Sequence, residues 1–176
     1  MNEEPRHLVL VGLMGAGKTT VGRRCAELLG REFVDTDELV VATAGISFDE
    51  LWASEGEQGF RKRERVAVAD AVASPEPLVI SCGGGAVLDA DNRRALRETG
   101  FVVWLDAAPA ALSLRLTGDD TRPLLAGGDR IDTLERLRAL REPAYEAAAH
   151  ITLDTDGRTV DDVADRVIKE FRSWNG

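Results

Sequence analysis

The residues most able to do chemistry lie near the N-terminus, where Gly12, Gly15, Gly17, Lys18 and Thr19 spell GxxxxGKT with one extra glycine. The apolar run Leu8 to Val11 precedes them and a helical pattern follows, which is the context this motif requires. Glycines let backbone N–H groups turn inward onto phosphate oxygens, and a helix start adds about half a positive charge. Lys18 then bridges the outer phosphates and the Thr19 hydroxyl faces a divalent cation, with Ala16 and Thr20 completing the loop. The stretch implies a nucleoside triphosphate held with Mg²⁺ from Gly12 to Thr20.

Switches, motors and small-molecule phosphotransferases all use such a loop, so other residues must choose among them. A guanine-specific switch needs an NKxD segment, which is absent, and the only DxxG string, Asp154 to Gly157, falls too late. Asp106, after the apolar run Phe101 to Leu105, reads either as the metal-facing acid of a motor-type ATPase or as a helix cap. The DTD triplet supplies two more acids. In an extended chain Asp35 and Asp37 point to one side, so one can face the Mg²⁺ shell and the other a substrate hydroxyl. The alternative is a pair of solvated loop acids. Arg61 opens the charged run 61–65, in which Lys62, Arg63 and Arg65 read as a solvated helix face and Glu64 can pair with Arg61. Arg141 on its own reads as a cation near a helix end.

The elements that must position these residues alternate. Short apolar runs predict strands at 8–11, 32–35, 78–81, 101–105 and 151–153. Helical spacing predicts a helix over 19–29, closed by Gly30, and another near 91–99, closed by Gly100. Ser47 and Glu50 form a capping box opening a short helix at Phe48; Gly56 and Gly59 interrupt the pattern before a longer helix from Phe60 to Ala73. Helices follow at 110–117 and from Ile131 to Glu142, where Pro143 stops the second, with the irregular segment 118–129 between them as a lid. Val160, Val163, Val167 and Phe171 line one face of a last helix. Strand and helix in alternation predict an α/β fold, a parallel sheet of five strands covered on both faces, with ligands at the strands' carboxyl ends.

Composition narrows the partners. The 176 residues are 44% hydrophobic and 30% charged with a net charge of −9, which predicts one globular domain that repels nucleic acid and anionic lipid. Cys25 and Cys82 match no zinc spacing, and the charged start, Met1 to His7, carries no apolar targeting core; both predict a cytoplasmic protein without disulfides. His7, His150 and the three tryptophans match no motif and read as structural.

The motifs, in order, resemble those of shikimate kinases over most of the chain: GLMGAGKTT, DTD, GEQGFRKRE at Gly56 to Glu64, GGGAV at Gly83 to Val87, RPLL at Arg122 to Leu125, and RxPxY at Arg141 to Tyr145. The resemblance implies a single three-layer phosphate-loop kinase domain of the nucleoside-monophosphate-kinase kind over residues 1–176, with a substrate-binding segment at about 36–64 and a lid at about 116–129. It implies ATP-dependent phosphorylation of the 3-hydroxyl of shikimate, with Mg²⁺; the sequence itself is silent on oligomeric state, for which a monomer is the preferred expectation. Arg61 and Arg141 would clamp the substrate carboxylate, since a guanidinium fork matches it in bidentate fashion. Asp37 would accept a bond from the reacting hydroxyl, Asp35 would join Thr19 at the metal, and Gly83, Gly84 and Gly85 would let backbone approach the ring hydroxyls. Arg122 would swing over the transferring phosphoryl group and Arg115 would cover the adenine, while lid closure excludes water. A kinase for another polyol acid such as gluconate, or a regulatory module without turnover, is the competing reading. The double-arginine clamp with the triple glycine favours shikimate, and the residues turnover needs, Lys18, Asp37 and Arg122, are all present.

Overall fold

A computed structural model of the chain describes residues 7–117, 123–125 and 128–174. Five strands, β1 (His7–Val11), β2 (Glu32–Asp35), β3 (Leu78–Ser81), β4 (Gly100–Asp106) and β5 (Ile151–Asp154), form one sheet in the order β2-β3-β1-β4-β5. Every neighbouring pair is parallel. β1 lies in the middle, and its Leu8, Val9 and Leu10 are wholly buried, which is why it reads as a continuous apolar run rather than an alternating one. Because all strands run the same way, their carboxyl ends gather on one edge: Val11 leads into the phosphate loop, Asp35 ends β2, Ser81 precedes the glycine triplet, and Asp106 ends β4. The α/β parallel sheet is the one expected from the sequence.

The helices are α1 (Lys18–Leu29), α2 (Thr36–Ala44), α3 (Phe48–Val72), α4 (Ala90–Thr99), α5 (Pro109–Arg115), α6 (Arg130–Ala148) and α7 (Val160–Ser173). The amphipathic stripe expected in α7 is present, with Val163, Val167 and Phe171 buried. Four local expectations are corrected. The DTD triplet is not extended: Asp35 ends β2 and N-caps α2, its carboxylate accepting from the N–H groups of Asp37 and Glu38, so Asp37 sits in a first helical turn where its charge suits the dipole. Gly56 (φ 66°, ψ −173°) kinks α3 rather than ending it, and Gly59 lies inside the helix beyond the kink. Arg63 reaches back over that kink with a two-pronged bond to Glu55, at 2.9 and 2.7 Å, so it is more than a solvated charge. Pro143 does not stop α6, which continues to Ala148 because Tyr145 and Ala148 beyond it are buried in the core.

The apolar side chains form two clusters. The large one packs both faces of the sheet, and the small one, Val40, Leu51, Phe60 and Ala67 with Phe48 and Trp52 against it, lies within α2 and α3. His7 and His150 are structural as expected: His7 Nδ1 accepts from the Leu78 N–H, and His150 Nδ1 accepts from the Val102 N–H beside Phe101.

Candidate active site

The carboxyl edge of the sheet opens into one cleft of about 1000 Å³ that runs from the phosphate loop to α6. At the loop, β1 turns directly beside β4. A Cβ on Gly12 would stand 2.4 Å from the Leu105 carbonyl oxygen, and φ is +147°, so both space and backbone demand glycine. Lys18 Nζ donates to the carbonyls of Gly12 and Leu13 at 2.8 and 2.9 Å. Thr19 Oγ1 donates to Asp35 Oδ2 at 3.0 Å, while Asp35 Oδ1 is engaged in capping α2. Two hard oxygens, one of them anionic, thus meet beside the loop. No group of three or more His, Cys, Asp or Glu side chains forms a cage among the described residues. A cation here would draw its remaining ligands from phosphates and water, as Mg²⁺ does.

At the opposite end Asp37, Arg61, Glu64 and Arg141 crowd the glycine triplet. None of the three glycines has a positive φ; what they provide is the missing Cβ. A methyl on Gly83 would lie 2.4 Å from Asp37 Oδ1 and 2.6 Å from Glu64 Oε2, one on Gly84 3.0 Å from Arg141 Nη1, and one on Gly85 2.3 Å from Arg61 Nη2. Arg61 Nη1 donates to Glu64 Oε1 at 2.7 Å and Nη2 to Glu57 at 3.4 Å. Glu64 and Arg141 are 1% and 2% exposed, yet Glu64 Oε2 and Arg141 Nε have no hydrogen-bond partner. Buried charged groups of that kind are costly unless a ligand completes them. Burial pushes the Glu64 carboxyl up to about 7, against the pull of Arg61 beside it.

Beside Arg61, whose guanidinium lies 5.5 Å from the Phe60 ring centre, the aromatic rings of Phe48, Trp52 and Phe60, with centroids 5.0 to 5.6 Å apart, also line the cleft. Near the loop, Arg115 is pinned by bonds to the Gly15 carbonyl at 3.2 Å and to Thr155 at 3.1 and 3.2 Å. Asp106, in contrast, takes no part in the cleft: Arg138 grips both its oxygens, at 3.2 and 2.7 Å, and its Oδ1 accepts from the Ala107 N–H. That ion pair turns it away from a metal-facing role, and the helix it was expected to cap begins after Ala108, with Pro109 in its first turn and no side-chain cap. Cys82 lines the cleft as a buried thiol whose pKa burial pushes far up, so it stays protonated.

The shikimate kinase family model matches residues 14–172. The chain belongs to the shikimate kinase family. A shikimate kinase of Symbiobacterium thermophilum is 51% identical over 168 residues, covering 94% of this chain and 96% of that protein. The solved shikimate kinase from Acinetobacter baumannii in complex with shikimate superposes with a TM-score of 0.92 at 39% identity, covering 96% of this chain and 93% of that one. A gluconokinase from Sinorhizobium meliloti shares the fold alone, with a TM-score of 0.62 at 22% identity over 97% of this chain and 93% of that one.

For a shikimate kinase the sequence-predicted residues fall together: Lys18, Thr19, Asp35 and Arg115 at one end of the cleft, Asp37, Arg61, Gly84, Gly85 and Arg141 at the other. Gly83 stands behind the wall, against Asp37. Arg122 lies outside the described residues, as does much of the expected lid at 116–129, of which Leu116 and Leu124 line the cleft. Sequence reasoning gave Trp52 no part in the site. Its spacing of four from Phe48 carried the signal, since residues so placed share a helix face.

Proposed function

We infer that this chain transfers the γ-phosphoryl group of ATP to the 3-hydroxyl of shikimate, giving shikimate 3-phosphate and ADP in chorismate and aromatic amino-acid biosynthesis. The observation that carries this reading is the pair of guanidinium groups, Arg61 and Arg141, brought against one glycine wall beside Asp37. A planar carboxylate fits two such forks, and a buried unpartnered Arg141 Nε supplies a donor waiting for it. Asp37 then lies where a hydroxyl of the anchored ring can donate to it and lose its proton as the phosphoryl group arrives. The edge of Phe48, Trp52 and Phe60 offers the apolar ring face a surface.

At the loop, Lys18 leaves its two carbonyl partners for the outer phosphates, and the glycine-rich backbone and the start of α1 receive them. Thr19 and Asp35 hold Mg²⁺, which supplies charge neutralisation for the triphosphate when bound. Arg115, already braced on Thr155, covers the adenine, and Arg122 neutralises charge on the phosphoryl oxygens. Residues 36–64 serve as the substrate-binding segment and 116–129 as the lid of one kinase domain. No described helix is long and apolar enough to cross a membrane, and a monomeric cytoplasmic enzyme fits the acidic surface.

A coupled assay of ADP release with shikimate, gluconate, nucleoside monophosphates and water as acceptors tests the reading. Turnover should require shikimate; equal turnover without it, or a preference for gluconate, would overturn it.

A further inference from the structure

We propose that Thr36 and Tyr145 are positioning residues that fix the Gly83–Gly85 backbone as a preformed donor platform for the substrate's ring hydroxyls. This rests on the shikimate reading above and concerns how its wall is held. Two side chains from distant parts of the chain grip the triplet. Thr36, wholly buried at the start of α2, accepts from the Gly83 N–H through Oγ1 at 2.9 Å. Tyr145, 1% exposed on α6, donates its hydroxyl to the Gly84 carbonyl at 2.6 Å.

The local backbone engages two further groups, with Ala86 N–H donating to Gly83 O at 3.0 Å and Leu88 N–H to Gly85 O at 3.1 Å. All three carbonyls and the first N–H are therefore taken. The N–H groups of Gly84 and Gly85 donate to no described residue, and both glycines line the cleft. Two neighbouring backbone donors remain for a polyol. Three consecutive glycines would otherwise be the most mobile segment of the site, and ordering them at each binding event would cost affinity. Tyr145 is suited to the task because its ring is locked against Trp104, with centroids 5.4 Å apart. Burial pushes its phenol up to about 12, so it remains a donor at any working pH.

Tyr145→Phe and Thr36→Val test this in the full chain, with shikimate and ATP titrated separately and melting temperature measured alongside. Each should raise KM for shikimate by about tenfold, the cost of a buried partner left unpaired, while kcat and KM for ATP stay within about twofold. Thr36→Ser, which keeps the hydroxyl, should restore the shikimate KM. An unchanged shikimate KM in Tyr145→Phe and Thr36→Val would overturn the proposal. So would a fall in kcat and a rise in both KM values in step with a lowered melting temperature, the pattern of a merely structural role. Failure of the shikimate reading itself is distinguishable, because the unaltered chain would then show no shikimate-dependent turnover.

Discussion

Replacing Gly85 by alanine places one methyl group where the Arg61 guanidinium now rests. The Cβ would lie 2.3 Å from Nη2, 2.4 Å from Cζ and 2.5 Å from Nη1. Non-bonded heavy atoms settle at about 3.5 Å or more, so the guanidinium must withdraw by about 1 Å. The backbone is no obstacle, since Gly85 has φ −105° and ψ 2°, values alanine can adopt. The core is no obstacle either. The Arg61 side chain is 24% exposed and already touches Glu57 on its outer side, so it has somewhere to go. Folding should therefore be nearly unaffected while the substrate end of the cleft is spoiled. A misplacement of about 1 Å costs roughly 10²-fold in productive geometry, or about 2.7 kcal/mol. In a coupled ADP assay, kcat/KM for shikimate should fall by about that factor, with KM for ATP and melting temperature close to those of the unaltered chain. An unaltered kcat/KM for shikimate would refute the claim that Arg61 holds the substrate from its observed position.

Three further outcomes follow from the same geometry. Asp37→Asn keeps the shape of the first turn of α2 but removes the proton acceptor, so kcat should drop by about 10² to 10⁴ with ATP affinity little changed; near-normal kcat removes Asp37 from catalysis. Arg141→Lys replaces a fork by a point charge in a site that is 2% exposed, and should weaken apparent shikimate affinity by about tenfold, measured by titration at saturating ATP; unchanged affinity counts against the clamp. Burial raises the Glu64 carboxyl from its ordinary 4.5 to about 7, so the folded chain holds that proton more tightly than the unfolded one. The stabilisation this gives is complete below pH 4.5 and is lost as pH rises towards 7. Glu64→Gln cannot lose it, and the melting temperature of the unaltered chain should fall relative to that variant across the window; a difference independent of pH would sink the assignment.

The sequence disclosed most where one residue type had only one use. GxxxxGKT after a buried strand could hardly mean anything but a phosphate loop, and five apolar runs before polar motifs located the strands and the edge they share. It misled where local chemistry and tertiary packing compete. Pro143 ends an isolated helix, but burial of Tyr145 and Ala148 carries α6 past it. DTD suggested extended alternation, yet an aspartate at a strand end is also a strong helix cap, and the cap prevails. Arg63 resembled a solvated charge because its partner Glu55 becomes a neighbour only through the kink at Gly56.

The glycine triplet shows the limit most clearly, because its letters are legible and its reason is not. Three glycines in a row suggest backbone freedom, and the observed φ values use none of it. Their purpose depends on side chains 24 to 57 residues away in one direction or the other: Asp37 at Gly83, Arg141 at Gly84 and Arg61 at Gly85. Asp37 and Arg61 come from α2 and α3, which carry their own small apolar cluster, whereas Cys82, Ala86 and Tyr145 belong to the main core. The glycines thus meet side chains carried by α2 and the first part of α3 on one side and the main core on the other, and α3 joins that core again through Val68, Ala71 and Val72. On the proposed function, a substrate bound there would touch both sides, so its binding energy would couple them. On the proposed function, that coupling gives shikimate a physical means of steadying α2, which bears Asp37, before the phosphoryl group moves.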